Sequence, residues 1–221
     1  MPSPVRTQRI TVERTARVAM LGTPARARRW WIVLHGYGQR AEDFLGAFRP
    51  VATTERCIVA PEALSRFYVD AMEEHRRVGA SWMTRDARED EIADYVRYLD
   101  ALWSRLTDDA SPPEHLTVLG FSQGAATASR WCTYGAAPID RVVLWAGDLA
   151  HDVDLAEHAA SWARWDLAVV WGDEDPYLSD DRKQALLQRL ASHNLSAEVH
   201  TFAGAHRLDR AVLRELARST G

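Results

Sequence analysis

The feature that most constrains the fold is a series of five short, almost uninterrupted apolar runs, followed by a weaker sixth. In chain order they are Trp30–Leu34, Cys57–Ala60, Leu116–Leu119, Val142–Ala146, Leu167–Trp171 and, more weakly, Ala197–Phe202. Strands that are apolar on both faces are typical of parallel sheets covered by helices. The runs therefore predict a mostly parallel central sheet.

Helix-like stretches separate these runs and complete the alternation. They cover Ala41–Thr53, Glu89–Leu106, Gln123–Tyr134, Ser179–His193 and Leu208–Arg218. Strands that alternate with helices predict a doubly wound α/β sheet with helices on both faces. We expect one domain over residues 1–221, with no separate cap domain. Two short alternating segments, Arg9–Glu13 and Ala16–Met20, predict an additional hairpin at a sheet edge.

Composition excludes several classes of function. Hydrophobic residues make up 47% of the 221, which is enough for a sizeable core, and the net charge of −4 leaves no basic footprint for nucleic acid. No apolar run is long enough to span a bilayer, and the first residues contain no apolar signal-peptide core. We therefore expect a cytoplasmic protein without stable membrane insertion. Cys57 and Cys132 lie in apolar or small-residue segments, which favours buried free thiols over a disulfide or a zinc site.

Polar or glycine-rich loops follow four of the predicted strands. They are His35–Gly38, Gly120–Gly124, Gly172–Pro176 and Ala203–His206. Ligands bind outside the carboxyl ends of the strands in such sheets. The four loops therefore predict an active site at one rim of the sheet.

Ser122 is the candidate nucleophile. It is the central residue of Gly120-Phe121-Ser122-Gln123-Gly124, between an apolar strand and a small-residue helix. A serine in this pattern occupies a strained strand-to-helix turn that exposes its hydroxyl. The pattern alone is a weak signal, but its position between a strand and a helix strengthens it.

A serine nucleophile needs a base and an acid that orients the base. His206 is the best placed of the eight histidines, because it follows the last predicted strand. Asp175 is the preferred acid, since it follows the Trp171 strand in a turn before Pro176. Asp148 and Asp173 remain alternatives.

The oxyanion that forms during acyl transfer needs backbone N–H donors. Gln123 follows the nucleophile and is one candidate. The second is Tyr37, which lies between Gly36 and Gly38 in the loop after the first apolar run. His35 is expected to shape this loop and not to act as the base.

At these residues the chain resembles the phospholipase/carboxylesterase group of α/β-hydrolases, which includes the acyl-protein thioesterases. The matching segments are Leu34–Gly38, Gly120–Gly124, Gly172–Pro176 and Gly204–His206. The resemblance implies the α/β-hydrolase fold, the triad and oxyanion donors named above, and no cofactor or metal. The sequence departs from the group at Gln39, where aspartate is common, and in the segment before the second helix.

The resemblance implies a serine carboxylesterase that hydrolyses small-molecule esters, but it does not imply a chain length; short to medium acyl groups are expected from the aromatic residues of the segment before the second helix. Thioesterase, lysophospholipase or peptidase activity on the same triad is the alternative, and a non-catalytic binding protein is a weaker one. The oligomeric state and the physiological substrate are left open. In the segment Ala63–Glu89, Phe67, Tyr68 and Trp82 predict an apolar wall for the acyl group; alternatively, they anchor this segment to the core.

Overall fold

A seven-stranded sheet forms the centre of the computed structural model, which describes residues 5–70 and 74–219. In spatial order its strands are β1 (Val18–Leu21), β3 (Arg56–Pro61), β2 (Arg29–Leu34), β6 (His115–Phe121), β7 (Arg141–Trp145), β8 (Asp166–Gly172) and β9 (Glu198–Phe202). All neighbours pair in parallel except β1, which runs antiparallel to β3. The predicted mostly parallel sheet is confirmed, and each of the six apolar runs coincides with one of its strands, with Ala146 and Ala197 just outside the strand ends.

The described residues contain six α-helices, of which five lie between strands and the sixth follows the last strand. They are α1 (Ala41–Leu45), α2 (Arg88–Asp109), α3 (Gln123–Tyr134), α4 (Leu155–Trp162), α5 (Asp180–Ala191) and α6 (Arg210–Arg218). The first predicted helix is shorter than expected, because α1 continues as a single 3-10 turn over Gly46–Phe48. Helix α4 was not among the predicted helices; it begins after Asp154, whose carboxylate accepts hydrogen bonds from the N–H groups of Ala156 and Glu157.

Alternate residues of the strands pack into two hydrophobic cores, one on each face of the sheet. On β2, Trp30, Ile32 and Leu34 pack with residues of α2 to α5, whereas Trp31 and Val33 pack with residues of α1 and α6. Because successive side chains of a strand point to opposite faces, a continuous apolar run is what a doubly covered sheet requires. Cys57 and Cys132 are buried as free thiols.

The predicted amino-terminal hairpin is wrong. Residues 9–13 form no strand, and β1 pairs with β3 instead. Ile10 and Val12 are largely exposed, so their alternation with polar residues does not correspond to a buried face. The β3 edge offers the antiparallel partner for β1, which the alternating pattern alone could not identify.

A two-stranded hairpin occupies the segment predicted as a loop over the pocket. Its strands are β4 (Ser65–Tyr68) and β5 (Val78–Ser81), which pair antiparallel. Residues 71–73 of this segment lie outside the described residues. The bridge between Gln39 and Ala80 joins the hairpin to the loop after β2, so the hairpin stands beside the predicted active site.

Among the described residues, no helix is long and apolar enough to cross a membrane.

Candidate active site

Ser122 occupies a strained turn between β6 and α3. Its φ of 54° and ψ of −118° are rarely adopted by a residue with a side chain, and its N–H donates to the Trp145 carbonyl at 2.8 Å. The flanking glycines are sterically required. A Cβ on Gly120 would lie 2.1 Å from the Gly124 carbonyl oxygen, and one on Gly124 would lie 2.2 Å from that of Leu34. The sequence pattern therefore corresponds to a sharp turn that presents the serine at the end of its strand.

His206 and Asp175 are joined by a hydrogen bond. The Nδ1 atom of His206 lies 2.7 Å from Oδ2 of Asp175, and the carboxylate side chain is fully buried. The other oxygen, Oδ1, accepts the N–H of Tyr177 at 2.9 Å. Since both carboxylate oxygens have partners, the acid is held in one orientation and holds the imidazole in turn.

The two alternative acids have other partners. Asp173 accepts the N–H of Gly204 at 2.8 Å and so links the loop after β8 to the loop after β9. Asp148 lies 4.0 Å from the guanidinium of Arg182. Among the three candidates, it is Asp175 that contacts the ring of His206.

The loop after β2 approaches the nucleophile closely. A Cβ on Gly36 would lie 3.2 Å from the Cβ of Ser122, so a side chain there would require its neighbours to shift by a few tenths of an ångström. The N–H of Gly36 donates to Oε1 of Gln39 at 2.8 Å, which stabilises the turn. Within residues 5–70 and 74–219, the N–H groups of Tyr37 and Gln123 have no hydrogen-bond acceptor. These free donors are what an oxyanion site requires.

The buried side chain of His35 stabilises the loop after β2. Its ring is fully buried, Nε2 accepts the N–H of Ala63 at 3.1 Å, and Nδ1 lies 2.8 Å from the Gly36 carbonyl. This pair of partners assigns the proton to Nδ1. Burial lowers the pKa of His35, which favours the neutral ring.

The Gln123 side chain fixes the segment after β5 to α3. Its Nε2 donates to the Met83 carbonyl at 2.9 Å, and its Oε1 accepts the N–H of Trp82 at 3.0 Å. Trp82 is buried against the ring of His35 and donates its indole N–H to the His35 carbonyl at 2.8 Å. Sequence reasoning assigned Gln123 only a backbone role and missed these side-chain contacts.

Ser122 and His206 are brought to the same place, although no hydrogen bond joins their side chains. The ring of Phe121, the residue before the serine, lies 4.9 Å from the His206 ring, and the ring of Tyr177 packs edge-on against the same imidazole at 4.8 Å. Hydrogen bonds between nucleophile and base are often long before substrate binds. The absence of this hydrogen bond therefore does not exclude His206 as the base.

A cavity of about 580 Å³ opens beside His206 and Phe121. Its apolar lining comes from α1 and the 3-10 turn after it, the hairpin, the end of β6 and the loop before α6, and consists of Phe44, Ala47, Val69, Val78, Phe121 and Leu208. Charged residues line the remainder, and Gly38 and Gln39 connect it to the loop after β2. Its volume is in the range of small-molecule sites.

The three residues predicted to form an acyl wall are not part of this lining. Phe67 packs against Tyr37 with ring centroids 5.2 Å apart, and Tyr68 is exposed and stacks on His75. Trp82 is buried and hydrogen-bonded to the His35 carbonyl, as expected if its ring anchors the segment to the core. The apolar wall next to His206 instead comes largely from Phe44 and residues of the hairpin that sequence reasoning did not select.

Comparison with known proteins identifies the family and the fold. The family model described as Phospholipase/Carboxylesterase matches residues 19–220. No curated protein matches the sequence.

Solved structures share the fold at low sequence identity. Acyl-protein thioesterase 2 of Zea mays is 17% identical, with a TM-score of 0.71 over 93% of this chain and 98% of that chain. A carboxylesterase of Mesorhizobium loti is 18% identical, with a TM-score of 0.71 over 93% of this chain and 94% of that chain. Esterase PE8 is 20% identical, with a TM-score of 0.65 over 93% and 97%. These likenesses show the fold.

Proposed function

The chain belongs to the phospholipase/carboxylesterase family of α/β-hydrolases, and we propose that it is a serine carboxylesterase acting on short- to medium-chain esters. It is a serine hydrolase by family. The observation that carries the finer proposal is the hydrogen bond between His206 and Asp175 beside the strained Ser122 turn, with two unpaired N–H groups nearby. A cytoplasmic location and independence from cofactors and metals remain predictions from the sequence.

In the proposed cycle, His206 Nε2 takes the proton of Ser122 Oγ as the oxygen attacks the ester carbonyl. The buried carboxylate of Asp175 stabilises the imidazolium that forms. The N–H groups of Tyr37 and Gln123 hold the oxyanion, and His206 then protonates the leaving alcohol. A water molecule, deprotonated by His206, attacks the acyl-enzyme and releases the acid with free Ser122.

Labelling with a fluorophosphonate probe tests the nucleophile directly. We expect one label per chain at Ser122, together with hydrolysis of 4-nitrophenyl acetate, butyrate and octanoate. Ser122→Ala should lose labelling and turn over these esters several orders of magnitude more slowly, whereas Ser111→Ala, at an exposed loop position, should behave as the parent. Unchanged turnover by a folded Ser122→Ala protein would remove Ser122 from the mechanism.

The same preparation separates ester from thioester hydrolysis. Acyl-coenzyme A substrates of matched chain length would be assayed beside the 4-nitrophenyl esters. A kcat/KM higher for the thioesters would replace the carboxylesterase assignment with the thioesterase alternative while leaving the triad in place.

A further inference from the structure

The charged part of the cavity beside His206 is strongly biased towards one sign. Among the described residues that line it, four are arginines and one is an acid: Arg40, Arg76, Arg77, Arg207 and Asp43. The chain as a whole has a net charge of −4. A positive rim on a negatively charged protein focuses anions on this cleft.

Two of these arginines are already engaged with acids. The Arg40 guanidinium lies 3.6 Å from the buried carboxylate of Glu62. The Arg207 guanidinium lies 2.9 Å from the carboxylate of Asp209 and also over the ring of Phe202. Because these charges are partly compensated, neither is the first candidate to bind an incoming anion.

The other two, Arg76 and Arg77, have no partner for their guanidinium groups among residues 5–70 and 74–219. Their backbone N–H groups donate to Oδ2 of Asp70 at 2.7 and 2.9 Å, which fixes the main chain at the start of β5. Within the described part of the chain, no carboxylate pairs with either guanidinium. The same cleft therefore offers two free guanidinium groups and an apolar wall that contains Phe44 and Val78.

We propose that the preferred substrates are esters that also carry an anionic group, a carboxylate or a phosphate monoester, which Arg76 and Arg77 bind while the ester carbonyl lies at Ser122. This inference rests on the proposed esterase function and specifies its substrate class. The apolar wall accommodates the carbon chain between the two ends. Guanidinium groups suit this role, because their fixed donors match the oxygens of carboxylate and phosphate.

Two pairs of esters test the preference. The carboxylate pair is the mono-4-nitrophenyl ester of adipic acid and 4-nitrophenyl hexanoate, which share a six-carbon acyl group. The phosphate pair is 4-acetoxyphenyl phosphate and phenyl acetate, which share the acetyl group. The quantity measured is the ratio of kcat/KM for the anionic ester to that for its neutral partner, and a ratio of about ten or more is expected for at least one pair.

The variant Arg76→Gln/Arg77→Gln should lower that ratio about ten-fold, because it removes charge-assisted hydrogen bonds made only with the anionic ester. Arg105→Gln, on the exposed face of α2, removes one arginine elsewhere and should leave the ratio unchanged. The parent ratio should also decrease as ionic strength increases, since salt screens charges at an exposed rim.

The outcomes are separable. A parent protein that reacts with the fluorophosphonate probe and hydrolyses the neutral esters but has both ratios near one overturns the anionic-substrate proposal and leaves the esterase function standing. A ratio that is high in the parent and unchanged in Arg76→Gln/Arg77→Gln overturns the assignment to these arginines. A folded protein with neither labelling nor turnover of any ester overturns the proposed function, and the substrate class with it.

Discussion

The Nδ1 atom of His206 lies 2.7 Å from a carboxylate oxygen of Asp175, although 30 residues separate the two in the sequence and they follow different strands. The contact exists because β8 and β9 are parallel neighbours, so the loops after them meet at the same end of the sheet. Asp173 reinforces it by accepting the N–H of Gly204, which holds the two loops together.

The first prediction separates Asp175 from the other acids near the site. Asp175→Asn should lower kcat by about three to four orders of magnitude, because an amide cannot stabilise the imidazolium or enforce its tautomer. Asp148→Asn, which removes a long contact with Arg182 and an electrostatic interaction with Arg189, should remain within about two-fold of the parent. The measurement is kcat on 4-nitrophenyl butyrate, and similar losses in both variants would contradict the assignment.

Gln39 is predicted to be a positioning residue for the oxyanion loop. Gln39→Ala leaves the N–H of Gly36 without its acceptor, and kcat should fall about ten-fold with a smaller change in KM. A residue that only stabilised the fold would lower the melting temperature without this difference between kcat and KM. Gln184→Ala, on the exposed face of α5, is the control. An unchanged kcat for Gln39→Ala would exclude the positioning role.

Trp82 is predicted to act through stability and not through chain-length selection. Trp82→Phe removes the hydrogen bond to the buried His35 carbonyl and should lower the free energy of unfolding by about 1–3 kcal/mol. The ratio of activities on acetate, butyrate and octanoate esters should stay as in the parent. Phe44→Leu alters the cavity lining and should shift that ratio. A larger shift for Trp82→Phe than for Phe44→Leu would show that Trp82 contacts the acyl group.

Two glycines with different surroundings should respond oppositely to alanine. Gly124→Ala places a Cβ 2.2 Å from a β2 carbonyl oxygen and should cost more than about 3 kcal/mol of stability or prevent folding. Gly46→Ala meets no atom within 4 Å at a helical φ, and should stabilise by about 0.5–1 kcal/mol because it reduces the entropy of the unfolded chain. Denaturant unfolding measures both, and equal effects would refute the steric explanation.

Stability should decline below about pH 6.5 because burial lowers the pKa of two histidines, His35 and His115, and the contribution of His35 can be isolated by substitution. Since the pKa of His35 is lowered, the unfolded chain binds a proton there that the folded protein excludes. The contribution of the neutral ring is complete above the unfolded pKa of about 6.5 and is lost, at about 1.4 kcal/mol per pH unit, as the pH falls towards the folded value. His35→Gln should flatten this slope and the exposed His151→Gln should not. Parallel slopes for parent and His35→Gln would contradict the prediction.

The positions of the catalytic candidates could be read from local patterns. Gly120–Gly124 requires glycines because of steric contacts within a few residues and with the adjacent strand, so the motif itself indicates the turn at Ser122. The loop that contains His206 could be located because apolar runs mark the strands and such strands end at a common rim. The sequence left Asp148, Asp173 and Asp175 as candidates for the acid, since all three follow strands. Which of them contacts His206 depends on the conformations of the loops, which the local sequence does not specify.

The sequence by itself determined the mostly parallel sheet, the order of most of its helices and the positions of the candidate site residues along the chain, because apolar periodicity and glycine motifs are local properties. Only the tertiary structure decided what lines the cavity. One segment of the chain, which has no sequence pattern that predicts its structure, contains Phe67, Tyr68, Arg76, Arg77 and Trp82. With β4 paired to β5, the two arginines line the cavity and the three aromatic residues do not. Such pairing depends on contacts between residues distant in the chain, and a one-residue shift would reverse which side chains face the site.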